Sequence, residues 1–195
     1  MKKSFTFLVF LLVVFNNFGQ NSKLSASVSY PVTISDDFFD SFKGVLDLGL
    51  EYNFYNSSKI SVGASLNANL FTKHENLRFD PSISVDQNLT VLQPRGYVSY
   101  SIAKGGKIKP FAGIGYSLVF LKANINNPNY EGNPKREEKE NNDYLNLNFG
   151  IAYDVMDNLF LVVQFDRLKG INNEFDNFRV PETMGTLKFG VGYRF

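Results

Sequence analysis

The 195-residue chain contains no cysteine and no tryptophan, and one histidine, His74. Without cysteine there is no disulfide framework, no thiolate metal site, no cysteine nucleophile and no lipid anchor on sulfur. A single histidine excludes a multi-histidine metal centre. No excess of one charge exists either: 20 Lys and Arg face 19 Asp and Glu. Such a surface has no net field to steer nucleic acid, so no nucleic-acid partner is expected. Long apolar runs are missing beyond the first fifteen residues, so the rest of the chain holds no helix able to cross a bilayer. What is abundant is Phe, at 20, and Tyr, at 10. These residues suit strands and interfaces.

Residues 1–19 read as an export signal. Lys2 and Lys3 form a basic start, residues 4–15 (SFTFLVFLLVVF) form an apolar core, and Gly19 offers a small residue for cleavage, with Gln20 as the neighbouring site. An uncleaved anchor is the alternative. Cleavage removes Lys2 and Lys3 and leaves residues 20–195 near neutral as one domain.

The remainder alternates with period two. In the clearest stretch Leu46, Leu48, Leu50, Tyr52 and Phe54 share one face, and Asp47, Gly49, Glu51 and Asn53 the other. Equivalent patterns occupy 24–30, 60–70, 92–102, 108–118, 145–155, 159–166 and 187–195. That predicts eight strands of about ten residues each. Phe160 and Val162 leave the phase of the seventh open. Pro94 is expected to mark a bulge or a later strand start, and Pro110 a strand start.

The connections alternate in length. Tight turns are expected at 56–58, 104–106 and 156–158, and long polar loops at 33–43, 71–88, 122–143 and 168–183. All short turns then lie at one end and all long loops at the other. This predicts an all-β, eight-stranded, antiparallel up-and-down barrel with short periplasmic turns and long extracellular loops.

Period two fits both a soluble lipocalin-like barrel, apolar inside, and a membrane barrel, apolar outside. Three patterns favour the second. Gly49, Gly63, Gly113, Gly115, Gly150, Gly190 and Gly192 all lie on the polar face, where a narrow lumen needs small residues. Charges of both signs share that face: Asp47, Glu51, Arg95, Lys109, Asp154, Asp166, Lys188 and Arg194. The apolar-face aromatics Tyr52, Phe54, Tyr100, Tyr153, Tyr193 and Phe195 gather near the turn end, as an interfacial girdle would.

The last residues, 187–195 (LKFGVGYRF), resemble the C-terminal signature of Gram-negative outer-membrane barrels, with Phe189, Val191, Tyr193 and the final Phe195 in alternation. Copies of a Gly-x-small-Tyr pattern recur at 113–116, 150–153 and 190–193, with a looser one at 49–52. From about residue 22 onward the chain resembles the small eight-stranded OmpA/OmpX-like outer-membrane β-barrel family. The resemblance implies a Gram-negative outer membrane, a lipid environment, recognition of the last strand by the barrel-assembly machinery, and a monomer. The resemblance is to the barrel without a peptidoglycan-binding domain, so a full cell-wall tether is not expected.

Eight strands leave an interior just filled by side chains, so no general pore is expected, and the inward charges read as an ion-pair network. The expected role is non-enzymatic, with surface partners met through the loops. A lipid A-modifying barrel enzyme is the first alternative and a soluble periplasmic ligand-binding barrel the second. His74, in the second long loop near Ser82 and Ser84, has no nucleophile elbow or orienting pattern around it. Ser35, Asp36, Asp37 and Asp40 match no calcium loop, so neither metal nor cofactor is expected. The run Lys135-Arg136-Glu137-Glu138-Lys139-Glu140 reads as a solvated loop tip. Phe38, Phe39 and Phe42 in the first loop are expected to fold back onto the barrel rim, the alternative being an exposed contact surface.

Overall fold

A computed structural model describes residues 23–34, 38–77, 79–102, 106–129, 134–171 and 182–195. The expected signal segment, Ser35, Asp36, Asp37 and the turn residues Lys104 and Gly105 lie outside the described residues. Eight strands occur in chain order: β1 (Leu24–Thr33), β2 (Lys43–Asn56), β3 (Ile60–Asn76), β4 (Ser84–Tyr100), β5 (Ile108–Asn126), β6 (Lys135–Asp154), β7 (Leu159–Gly170) and β8 (Thr183–Arg194). Each pairs antiparallel with its sequence neighbour, and β1 pairs with β8 from Ser25–Arg194 to Thr33–Thr186, which closes the barrel. Closure leaves no sheet edge within the lipid-facing zone, the condition for burying backbone polar groups in hydrocarbon.

Facing is settled by exposure. Outward apolar side chains such as Leu50 (53%), Ile114 (63%), Phe149 (56%) and Val191 (49%) are open to the surroundings, while Asp47 and Lys188 are each 1% exposed. A soluble barrel with an apolar lumen is thereby overturned. On β7, Phe160 and Val162 point inward and Leu161 and Val163 outward.

Strand lengths depart from the expected ten residues. A tilted strand crosses a bilayer in about 9–11 residues. β3 and β4 have 17, β5 has 19 and β6 has 20, whereas β1 has 10 and β7 and β8 have 12. β3–β6 therefore project beyond the bilayer as a sheet. Much of the expected second and third loops is strand, and the register runs without shift from Ile60–Tyr100 to Asn76–Ser84 and from Ile108–Tyr153 to Asn126–Lys135. The expected loop tip at 135–140 is the start of β6, paired with 121–126 of β5.

The alternation inverts where the sheet leaves the membrane. On β6 the outward face runs Tyr153, Ile151, Phe149, Leu147, Leu145 and then Asp143, Asn141, Lys139, Glu137. On β4 the inward face runs Tyr97, Arg95, Gln93 and then Val91, Leu89. Inside the membrane the strands are apolar outside and polar inside. Above it the outer faces turn polar, because water has replaced lipid as the solvent, and on β4 and β5 apolar side chains such as Val91, Leu89, Val119 and Leu121 turn inward.

Pro94 neither starts β4 nor sits in a bulge. It faces out opposite Leu66, and the β4–β5 register is the same on both sides of it, from Leu92–Leu118 to Arg95–Gly115. Pro110 is the third residue of β5, opposite Ile151. The register shifts fall on β2 instead, between Gly44 and Leu46 and between Asn53 and Tyr55. The second shift turns both Phe54 and Tyr55 outward, at 64% and 58% exposure.

Candidate functional site

The lumen is stacked in three layers. At its centre Asp166 on β7 takes Arg95 of β4 at 2.8 Å and Lys188 of β8 at 2.6 Å, and Lys188 also reaches Asp47 of β2 at 3.5 Å. Neutral side chains complete the cluster. Asn67 Nδ2 donates to Asp47 at 3.1 Å, its Oδ1 accepts from Arg95, and Gln164 donates to Asp166 at 2.5 Å. Gln93 Oε1 accepts from Lys188 at 3.0 Å and from Asn69 at 2.7 Å. The four charged side chains are at most 2% exposed. Charges so far from water persist only when paired and hydrogen-bonded. Sequence reasoning passed over Asn67, Asn69, Gln93 and Gln164, although the polar phase of the alternation carries them.

Toward the long-loop end lies an apolar layer. Phe39 and Phe42, from a single 3-10 turn at Phe38–Ser41 and the residue after it, pack with Phe71, Leu89, Val91, Val119, Leu121, Tyr144, Leu168 and Met184. The Phe39 and Phe71 rings meet edge-on at 5.2 Å. Phe39 and Phe42 thus enter the lumen and cap it, neither resting on the rim nor offering an exposed contact. The Phe38 side chain lies outside the described residues. Between this cap and the central charges, a void of about 10 Å³ remains beside Asn69, Gln93 and Thr186, about the room of a single water.

The turn end is looser. Asp154 on β6 takes Lys109 of β5 at 2.6 Å and Arg194 of β8 at 2.8 Å. Glu51 accepts from Ser25 Oγ at 3.1 Å. Ala152, Phe160 and Val162 form an apolar wall with Phe111 packed against it. The glycines make room for these rings: a β-carbon on Gly150 would overlap Phe111, and one on Gly192 would overlap Phe160. Tyr97 donates to Asn53 at 2.9 Å.

On the outer surface at this end, Tyr52, Phe54, Tyr100, Tyr153 and Tyr193 are 43–64% exposed, and Phe195 follows β8 with partial exposure. Tyr193 meets Phe195 edge-on at 5.2 Å, and its hydroxyl accepts from Asn158 at 3.2 Å. Phe189 and Val191 face outward on β8.

The chain matches the family described as "Outer membrane protein beta-barrel domain" over residues 5–195. It belongs to that family. Solved structures share the fold at low identity. A major outer membrane protein of Thermus thermophilus matches with a TM-score of 0.63 at 16% identity, covering 88% of this chain and 99% of that one. Ail, the attachment invasion locus protein of Yersinia pestis, matches at 0.54 and 15%, and Neisserial surface protein A at 0.52 and 15%; each covers 88% of this chain and 96% of its own. No curated protein sequence matches the chain.

On the projecting sheet of this family member, His74 stands on β3, not in a loop. Its Nδ1 lies 2.5 Å from Asp86 on β4, its register partner. An orienting carboxylate therefore exists, one that 12 residues of sequence separation hid. Both side chains are at least 60% exposed, and among the described residues no serine or threonine hydroxyl bonds to His74. Lys73 and Glu75 face inward and pair at 2.8 Å. On the outer face Glu137 of β6 takes Lys122 of β5 at 2.7 Å and Lys139 at 2.8 Å. Hydrogen bonds from Lys122 first, then Lys139, hold the Glu137 carboxyl down at a pKa of about 2. Among the described residues no group of three or more His, Asp or Glu is arranged to hold a metal ion.

Proposed function

We propose that this outer-membrane barrel is a non-enzymatic, monomeric surface protein, closed to bulk solute flow, that meets external partners through the sheet formed by the ends of β3–β6. The observation that carries this reading is the pairing of a sealed lumen with a continuous, fully zipped projection. The Phe39–Phe42 cap and the Arg95–Asp166–Lys188–Asp47 cluster fill the barrel, and the projecting strands present polar, charged faces to water. The aromatic ring at the turn end supports interfacial anchoring, and Phe189, Val191, Tyr193 and Phe195 support recognition of β8 by the assembly machinery. Residues 1–19 would serve as the cleaved export signal.

Ail has been captured with the heparin analogue sucrose octasulfate. Here Lys122 and Lys139 share Glu137, and Arg136 pairs with Glu138, so a partner of mixed charge is a better match than a polyanion. The test is binding of purified barrel in lipid nanodiscs to surface or matrix proteins, compared with a variant shortened across 72–88 and 122–139. Expected is loss of binding with an intact barrel. Undiminished binding would place the interaction elsewhere.

A second reading, lipid A modification, draws on the His74–Asp86 pair. It requires a hydroxyl nucleophile within reach of His74. Lipid A profiled by mass spectrometry is expected to be identical for wild type and His74→Ala; a lost acyl change would establish an enzyme.

A further inference from the structure

On the outer face of β3–β6 at the long-loop end, charged side chains satisfy one another. Glu137 takes Lys122 and Lys139, His74 meets Asp86, and Asp143 holds the Tyr116 hydroxyl. β7 differs. Asp166 and Leu168 point into the lumen, so Arg167 and Lys169 point outward, and both are exposed. No carboxylate oxygen of the described residues lies within 4.0 Å of either cation. Arg167 stands opposite Leu147 of β6 and Gly185 of β8, and Lys169 opposite Leu145 and Thr183. Met184 is buried in the lumen cap, so Thr183 shares the outer face with Lys169. Along that face toward the turn end, Phe165 and Val163 of β7 stand beside Phe149 and Ile151 of β6. Arg167 and Lys169 are thus the first polar groups of β7 above its lipid-facing wall, and leucines flank both.

We propose that Arg167, Lys169 and the Thr183 hydroxyl form a site for the phosphate monoester of an outer-leaflet lipid headgroup, whose acyl chains lie on Leu147, Phe149 and Phe165. Cations on a barrel wall at the membrane border lay their stems on apolar ground and send their charge to the headgroups. Alternate residues of one strand share a face about 6.6 Å apart, so both long side chains reach a single phosphate. The arginine fork takes two phosphate oxygens at once, and the lysine adds a point charge. Charge selects the ester. Near neutral pH a monoester carries nearly two negative charges, which match two cations, whereas a diester carries one. A soluble acidic partner fits less well, because it would have to bring carboxylates down beside Leu145 and Leu147 at the lipid border. Lys43 of β2 is another exposed cation at this end, but β8 and β1 stand between it and β7.

The experiment places the full barrel in phosphatidylcholine nanodiscs with a rising fraction of phosphatidic acid, a monoester, or of phosphatidylglycerol, a diester. Divalent cations are left out, at about pH 7 and about 0.15 M salt. NMR follows the Arg167 side-chain N–H and the Thr183 amide. Both signals are expected to shift saturably with phosphatidic acid, and about tenfold or more of the monoester's apparent affinity is expected to vanish in the double variant Arg167→Gln, Lys169→Gln. Lys43→Gln is expected to bind as wild type does. A heat-dependent shift on SDS gels verifies that each variant is folded. Equal binding of the two lipids would overturn the proposal, since it reports bulk charge alone. So would a loss in Lys43→Gln as large as in the double variant, the mark of a diffuse basic rim. Inorganic phosphate binding as tightly in pure phosphatidylcholine discs would place the ligand in solution and also overturn it. Should the double variant not fold, Lys169→Gln and the comparison of the two lipids decide.

Discussion

Lys188 Nζ lies 2.6 Å from Asp166 Oδ2, with the two side chains 1% and 0% exposed. They come from adjacent strands, and Gln164 and Lys188 are the register partners that bring them together. Because Arg95 reaches the same carboxylate from β4, one aspartate ties three strands across the lumen.

Asp166→Ala leaves Arg95 and Lys188 facing each other without their shared anion. Removing one member of a buried pair costs about 3–5 kcal/mol. Urea unfolding from lipid vesicles is expected to show a loss of that order. A change below about 1 kcal/mol would mean that water hydrates the cluster.

Leu50→Arg tests the facing. Leu50 is 53% exposed on the outer face of β2, and an arginine near the bilayer midplane costs about 2–4 kcal/mol. Asn124→Arg, on the outer face of β5 beyond the alternation switch, is expected to change stability by less than about 0.5 kcal/mol. Equal costs at both sites would contradict the proposed membrane border.

Phe39→Ala removes a ring that is 1% exposed, and such truncations cost about 3–5 kcal/mol. The cap is built from one loop, so its loss is expected to appear locally first. Protease should cut between residues 34 and 43 while the barrel still shifts on SDS gels. In planar bilayers wild type is expected to show no stable conductance, and the variant brief openings. A steady large conductance in wild type would refute the sealed lumen.

Glu137 provides a pH signature. Its carboxyl is depressed in the folded state by Lys122 and Lys139, to about 2. A depressed carboxyl contributes stability that is present above its unfolded pKa of about 4.3 and is lost as pH falls toward about 2. NMR titration of the Glu137 side chain is expected to show a midpoint well below about 4, moving up in Lys122→Gln. A midpoint unmoved by that substitution would mean that the pair does not form in solution.

The alternation of Leu46, Leu48, Leu50 and Tyr52 with Asp47, Gly49 and Glu51 made the strands, the closed barrel and its facing legible, because each strand meets lipid on one side and a narrow polar lumen on the other. The same signal failed at 71–76, 84–88, 122–126 and 135–143. There polarity reads like a loop, but it marks the membrane border. Strand pairing continues past that border, with the outer face turned polar and Val85, Leu89, Val119 and Leu121 turned inward.

The sequence by itself determined which residues alternate, and hence the strand number, the strand order and the identity of the inward charges. Only the tertiary structure decided which charges meet, since Asp47, Arg95, Asp166 and Lys188 are far apart in the chain and Coulomb energy depends on distance, not on chain position. It also decided that Phe39 and Phe42 cap the lumen, that Asp86 orients His74, and that Asp154 gathers both Lys109 and Arg194. Each of these depends on the register of a closed sheet, and closure is a property of all eight strands at once.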